Sequence, residues 1–129
     1  MAQKDTYKLE FKVATADSNW QFYICTRHPQ SSMHPMITNI MACLGKQDTE
    51  EFIQQLDYAI AKSSSFDADT QFDSTELEYV FSDEAMPTIP THVRIGNEML
   101  LPLDTFKQLL QEWLVFMNQN PIKRTTIKF

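Results

Sequence analysis

Glycine and cysteine are both scarce in this chain, and each scarcity excludes a class of site. Its 129 residues include two glycines, Gly45 and Gly96. Phosphate-binding loops need several closely spaced glycines, so the sequence excludes a nucleotide site of that kind. The two cysteines, Cys25 and Cys43, are too few for a disulfide scaffold, so a hydrophobic core must stabilise the chain.

The sequence also lacks a long hydrophobic run and an apolar segment at its amino terminus. No stretch approaches the roughly 18 apolar residues of a membrane-spanning helix. Residues 1–7 are mainly polar, so we expect no signal peptide, a cytoplasmic location and no membrane partner. Because 43% of the residues are apolar and 12% are aromatic, we expect a folded chain with a single domain over residues 1–129.

Negative charge is concentrated in one third of the chain. Residues 48–84 contain eleven acidic residues and one basic residue, Lys62, which gives this segment a net charge of −10. The other residues together carry +4, since the whole chain carries −6. A negative electrostatic field repels nucleic acid and attracts cationic partners. The pattern therefore argues against nucleic-acid binding, although the same acids could serve only to keep the protein soluble.

The clearest structural pattern is a predicted hairpin that runs directly into a predicted helix. The pair Gly96 and Asn97 suits a two-residue turn, which would place Val93 opposite Leu100. Pro102 fits the first turn of a helix, where its missing N–H is not needed. Large apolar residues then recur every three or four positions and predict the buried stripe of that helix. The stripe consists of Leu103, Phe106, Leu110, Trp113 and Met117, widened by Leu109, Leu114 and Phe116.

Alternating apolar and polar residues predict three strands before this hairpin. Residues 7–13 and 20–25 should pair with each other as antiparallel strands. A third strand is predicted over residues 76–81. The side chains expected to face inward are Tyr7, Leu9, Phe11 and Val13, then Trp20, Phe22 and Ile24, and then Leu77, Tyr79 and Phe81.

A second amphipathic helix is predicted to begin at Asp48, a favourable capping residue. Its apolar stripe consists of Phe52, Ile53, Leu56, Ala59 and Ile60. Residues 36–44 fit either a short strand or a helical turn, and the basic residues 122–129 could form an edge strand. The order of elements predicts an α+β protein, a two-layer sandwich with two amphipathic helices on one face of an antiparallel sheet.

Two groups of residues raise the question of metal binding or catalysis. Cys25, His28, His34 and Cys43 carry zinc-ligating groups, although their spacing matches no common zinc pattern. Cys25 and His28 could also pair as a nucleophile and its base. The alternative is a strand cysteine, two loop histidines and a buried cysteine that acts as a small apolar residue. We expect no catalytic residue, no metal and no cofactor, and therefore a protein that is not an enzyme.

The acidic residues 67–78 superficially resemble a calcium-binding loop. Phe72 occupies the position at which such a loop needs glycine. A non-standard calcium site and a solvated acidic loop are both compatible with this segment.

One segment resembles a known family. Residues 98–106 read Glu-Met-Leu-Leu-Pro-Leu-Asp-Thr-Phe and are followed by Leu109, Leu110 and Trp113. This strand-to-helix pattern resembles the end of small bacterial immunity proteins, which are encoded beside polymorphic or contact-dependent growth-inhibition toxins. The resemblance covers residues 98–113 and implies a protein without catalytic residues that occupies the active site or a critical surface of a cognate toxin.

The resemblance and the charge distribution lead to the same expectation. Many toxins of this kind are nucleases with cationic clefts, to which an acidic surface would be complementary. We expect an immunity protein that binds a protein toxin through acids on one strand and its two flanking loops, with two apolar anchors among them. The expected contact residues are Asp67, Asp69, Phe72, Asp73, Glu76, Glu78, Asp83, Glu84 and Met86.

The sequence leaves two other functions open. A structural or adaptor subunit could join a larger assembly through the apolar segment of residues 33–44. A small metal-dependent or cysteine enzyme could use Cys25, His28 and His34. The strand order and the oligomeric state do not follow from the sequence.

Overall fold

The computed structural model describes residues 3–17, 20–27, 35–67, 77–96 and 99–122. Its helices are α1 (Gln3–Thr6), α2 (Pro35–Cys43), α3 (Lys46–Ile60) and α4 (Leu103–Gln119). Its strands are β1 (Leu9–Asp17), β2 (Trp20–Arg27), β3 (Leu77–Val80), β4 (His92–Ile95) and β5 (Met99–Pro102). The predicted α+β class is confirmed, and the ambiguous residues 36–44 are helical. The strand suggested for the tail falls on residues 123–129, which lie outside the described part.

The described strands form two antiparallel sheets, whereas the sequence predicted one. β1 pairs with β2, and β3, β4 and β5 pair in chain order. Alternation within a strand reveals which face is buried but not which hairpin lies beside which. The number of sheets therefore did not follow from the pattern. Within the described residues, no helix is long and apolar enough to span a bilayer.

The face of β2 that points towards the core is the opposite of the predicted one. Tyr23 and Cys25 face inward, beside the inward residues of β1. Trp20 and Phe22 are exposed, and Ile24 is only half-buried. The prediction gave greater weight to the bulk of Trp20 and Phe22. The structure instead buries the ring of Tyr23, whose hydroxyl donates to two carbonyl oxygens at the end of α4 at 3.0 and 2.8 Å.

The register of the hairpin between β4 and β5 also differs by one residue. Val93 pairs with Leu101, so the prediction that Val93 lies opposite Leu100 was wrong. Three residues connect the strands, and the first of them is a glycine with a φ of 58°, which glycine adopts without a steric penalty. A two-residue turn would have set Glu98 opposite Ile95, which is fully buried. The observed register instead sets Met99 opposite Ile95 and leaves Leu100 53% exposed.

α4 lies at the centre of the core, as its apolar stripe predicts. The rings of Phe11 and Tyr23 meet the ring of Trp113 edge-on, with centroids 4.9 and 6.1 Å apart. The indole N–H of Trp113 donates to the carbonyl oxygen of Leu44 at 3.0 Å. These contacts join α4 to the β1–β2 hairpin and to the end of α2. The buried residues of α4 are Leu103, Phe106, Leu109, Leu110, Trp113 and Met117.

α3 begins two residues before the predicted cap. Gly45 occupies the N-cap position without a side-chain hydrogen bond, and the Thr49 hydroxyl donates to the Gly45 carbonyl oxygen at 2.7 Å. Asp48 therefore lies inside the first turn, where its charge complements the helix dipole. The helix ends at Ile60, and Lys62 two residues later lies in the left-handed region, at a φ of 55°. The residues it buries are Thr49, Phe52, Leu56 and Ala59.

Candidate partner-binding surface

Five of the nine expected contact residues lie in the described part of the chain: Asp67, Glu78, Asp83, Glu84 and Met86. The other four, Asp69, Phe72, Asp73 and Glu76, lie outside the described residues.

The loops on the two sides of β3 both contact the carboxyl-terminal half of α3. The backbone N–H of Asp67 donates to the side-chain oxygen of Gln55 at 2.8 Å. On the other side of β3, the carboxylate of Asp83 lies 3.7 Å from the ammonium of Lys62. Glu84 follows it and is exposed. Asp67 is thus hydrogen-bonded to α3 through Gln55, and Asp83 lies beside Lys62, two residues after the end of that helix.

Asp83 is held in place by the turn that it begins. Its Oδ1 accepts a hydrogen bond from the backbone N–H of Ala85 at 2.9 Å, while its Oδ2 is the atom near Lys62. The backbone N–H of Met86 donates to the Asp83 carbonyl oxygen at 3.2 Å. Met86 is half-buried and packs against the core. Part of its side chain therefore stabilises the fold, which reduces the apolar surface it offers to a partner.

Glu78 is an exposed residue of β3. It pairs across the strands with Arg94, and the closest oxygen and nitrogen of the two side chains are 3.7 Å apart. Both side chains are largely exposed, so this ion pair contributes at most about 1 kcal/mol to stability. Because neighbouring strand residues alternate, Glu78 projects from the outer face of the three-stranded sheet, while Tyr79 packs against the core.

Two exposed apolar side chains near the acidic loops were not anticipated. Phe81 was expected to face inward but is 44% exposed, and Ile60 at the end of α3 is 43% exposed. Each stands two positions before a member of the ion pair between Lys62 and Asp83. β3 ends at Val80, so its alternation no longer applies to Phe81. The polar residues directly after Phe81 were the signal in the sequence that could have shown this.

The chain matches no protein-family model, and no curated protein or solved structure is detectably similar to it. The resemblance to immunity proteins therefore depends on residues 98–113 alone. In the structure residues 99–113 form β5 and the larger part of α4.

The two cysteines lie in different environments, and burial makes Cys25 a poor nucleophile. Cys25 is buried on β2, and burial raises the pKa of its thiol to about 12. The thiol therefore stays protonated at neutral pH, whereas a nucleophilic cysteine must ionise. Cys43 is exposed, which differs from the buried position considered for it. Among the described residues no three His, Cys, Asp or Glu side chains are placed to hold a metal ion, and His28 and His34 lie outside that part.

Proposed function

We propose that this chain is an immunity protein that acts in the cytoplasm and neutralises a cognate toxin by occlusion. The observation that carries the proposal is the surface at the carboxyl end of α3, which we call the acidic end. It is defined by the ion pair of Asp83 with Lys62, by the exposed residues Asp67 and Glu84, and by the exposed side chains of Ile60 and Phe81, each of which stands two positions before a member of that pair. A large apolar anchor surrounded by charged groups is a common arrangement in protein interfaces.

The partner that fits this surface is a protein with a cationic cleft, such as a nuclease toxin. Carboxylates on the inhibitor would meet the basic groups that a nuclease uses to hold phosphates. Complementary charges of this kind accelerate encounter and select against neutral or acidic partners. Inhibition would require no turnover, because the bound chain would keep the substrate out of the cleft.

The structural or adaptor role has less support from the described residues. It would use the apolar segment of residues 33–44 as an exposed interface. The structure places four apolar residues of this segment in the core of the chain itself: Ile37, Ile40, Met41 and Leu44. They are therefore already buried and offer no apolar surface to a partner.

The experiment that tests the inhibitor proposal is a pull-down from the native host, with the tagged chain as bait and elution by a salt gradient. We expect one stoichiometric basic protein that salt releases and that is toxic when it is expressed without this chain. Screening weakens exposed charge pairs as ionic strength rises. A partner released only by denaturant, or a partner with no toxicity, would contradict the proposal.

A further inference from the structure

A groove separate from the acidic end runs between α4 and β1. Its volume is about 510 Å³, within the range of sites that bind small ligands or single side chains. Phe11 contributes to one wall, Phe116 and Glu112 to the other, and Lys4 of α1 lies at the rim. Val115 is 52% exposed beside it, so this part of α4 presents an apolar group to solvent.

Glu112 has an incomplete set of hydrogen bonds. One of its carboxylate oxygens, Oε2, accepts a hydrogen bond from the backbone N–H of Gln3 at 3.1 Å. The other, Oε1, is buried and has no donor among the described residues. Buried carboxylate oxygens are normally paired. The lysine that lines the groove, Lys4, instead forms an ion pair with Asp5 at 3.4 Å.

The groove as a whole favours a cation. Glu10 and Glu112 line it together with Lys4. Glu10 is paired with Lys12 at 3.7 Å and Lys4 with Asp5 at 3.4 Å, so Glu112 is the charged group of the groove that has no ion-pair partner among the described residues. Phe11 and Phe116 add aromatic surface, with ring centroids 5.7 Å apart. Carboxylate oxygens and aromatic rings together suit a guanidinium group, because it is planar, stacks on rings and donates in several directions. An ammonium is more strongly hydrated and stacks less well.

We propose that this groove binds the guanidinium group of an arginine side chain that belongs to a protein partner. The guanidinium would donate to Glu112 and stack on the ring of Phe116. A protein is the favoured source because β1, which borders the groove, pairs with β2 along one edge and with no other strand of the described residues. An extended segment can pair with such an edge and hold its arginine at the groove. The proposal holds for any arginine-bearing partner and does not rest on the immunity function.

The first test is an NMR titration of the full chain with a capped Gly-Gly-Arg-Gly-Gly peptide. We expect the chemical shifts of residues 10–11 and 112–116 to change and to reach saturation as peptide is added. A peptide with citrulline in place of arginine has the same shape but no charge, and we expect it to bind about tenfold more weakly or worse. Equal binding of the arginine and citrulline peptides would overturn the proposal. Shifts centred on Asp83 and Glu84 would also overturn it, since they would assign the arginine to the acidic end.

The second test uses variants of the groove with a matched control. Glu112→Gln keeps the size of the side chain and removes its charge, so we expect at least about a tenfold loss of peptide affinity. Val115→Arg changes an exposed residue and places a competing guanidinium at the groove, so it should also abolish binding. Glu50→Gln removes a charge elsewhere and should leave binding unchanged. If Glu112→Gln fails to fold, the Val115→Arg variant tests the proposal. Peptide affinity at the wild-type level in Val115→Arg would overturn the assignment of the arginine to this groove.

Discussion

At the scale of single residues, the two cysteines have opposite environments. Cys25 lies on the inward face of β2 and is buried, whereas Cys43 is exposed at the end of α2. Only a thiolate reacts readily with disulfide reagents, and it must also be reachable. The two thiols should therefore differ strongly in their reactivity.

We expect a disulfide reagent to label one thiol of the native protein at pH 8. Cys43→Ser should remove that rapid phase, and the remaining thiol should react only as the protein unfolds. Counting released chromophore with and without denaturant measures both phases. Rapid labelling of Cys25 in the folded Cys43→Ser variant would show that the thiol is not protected.

Burial of Cys25 also predicts a pH dependence of stability. Its pKa is raised from 9.0 to about 12 in the folded chain, so between these values the unfolded chain releases the thiol proton and the folded chain does not. Stability from this group is thus fully present below pH 9.0 and is lost as the pH rises towards 12. Cys25→Ala should lose less stability than the wild type over that interval in urea melts. Parallel losses would contradict the prediction, since Tyr79, whose pKa also rises to about 12, is common to both proteins.

At the scale of elements, the buried faces of the two long helices, α3 and α4, were more predictable than those of the strands. The stripe of α4, from Leu103 to Met117, spans about four turns, so many residues indicate the same buried face. The strands have only four to nine residues, so fewer residues indicate a face, and β2 carries aromatic residues on both faces, Phe22 and Tyr23 among them. Hydrophobicity alone then does not show which face is buried, because the buried face depends on packing against the neighbouring strand. The position of Phe81 was missed for a related reason, because alternation does not show where a strand ends.

The register of the second hairpin can be tested with two adjacent leucines. In the observed register Leu101 is buried and Leu100 is exposed. Leu101→Ala should therefore lower the free energy of unfolding by about 2–5 kcal/mol. Leu100→Ala should change it by less than about 0.5 kcal/mol. Urea denaturation of both variants measures the difference, and the reverse ranking would support the register with Val93 opposite Leu100.

At the scale of the whole molecule, the distribution of charge separates two acidic regions along α3. Glu50 and Glu51 are exposed near the start of the helix. Asp83 and Glu84 lie near its end, where Asp83 meets Lys62. At a rise of about 1.5 Å per residue, the length of the helix separates the two pairs by roughly 15–20 Å. A partner that docks on the acidic end should contact Asp83 and Glu84 directly. Glu50 and Glu51 should affect it only through the long-range electrostatic field.

This separation gives a matched comparison for the proposed inhibitor function. Two double variants each remove two negative charges from exposed or half-exposed side chains. The first combines Asp83→Asn with Glu84→Gln, and the second combines Glu50→Gln with Glu51→Gln. With the toxin identified by pull-down, we expect the first double variant to associate about three- to tenfold more slowly at low salt and the second to change little. The first variant also loses the ion pair with Lys62, but such an exposed pair contributes at most about 1 kcal/mol, so both variants should melt close to the wild type.

Stopped-flow association over a range of salt concentrations measures the effect. The difference between the two variants should vanish near 1 M salt, where the Debye length is about 3 Å. Equal slowing of both variants at low salt would mean that only net charge matters and that the acidic end is not the contact.

The variant Phe81→Ser tests whether Phe81 is buried in the complex. Loss of an anchor that the partner buries accelerates dissociation and leaves the association rate nearly unchanged. Dissociation at the wild-type rate in that variant would exclude Phe81 from the interface.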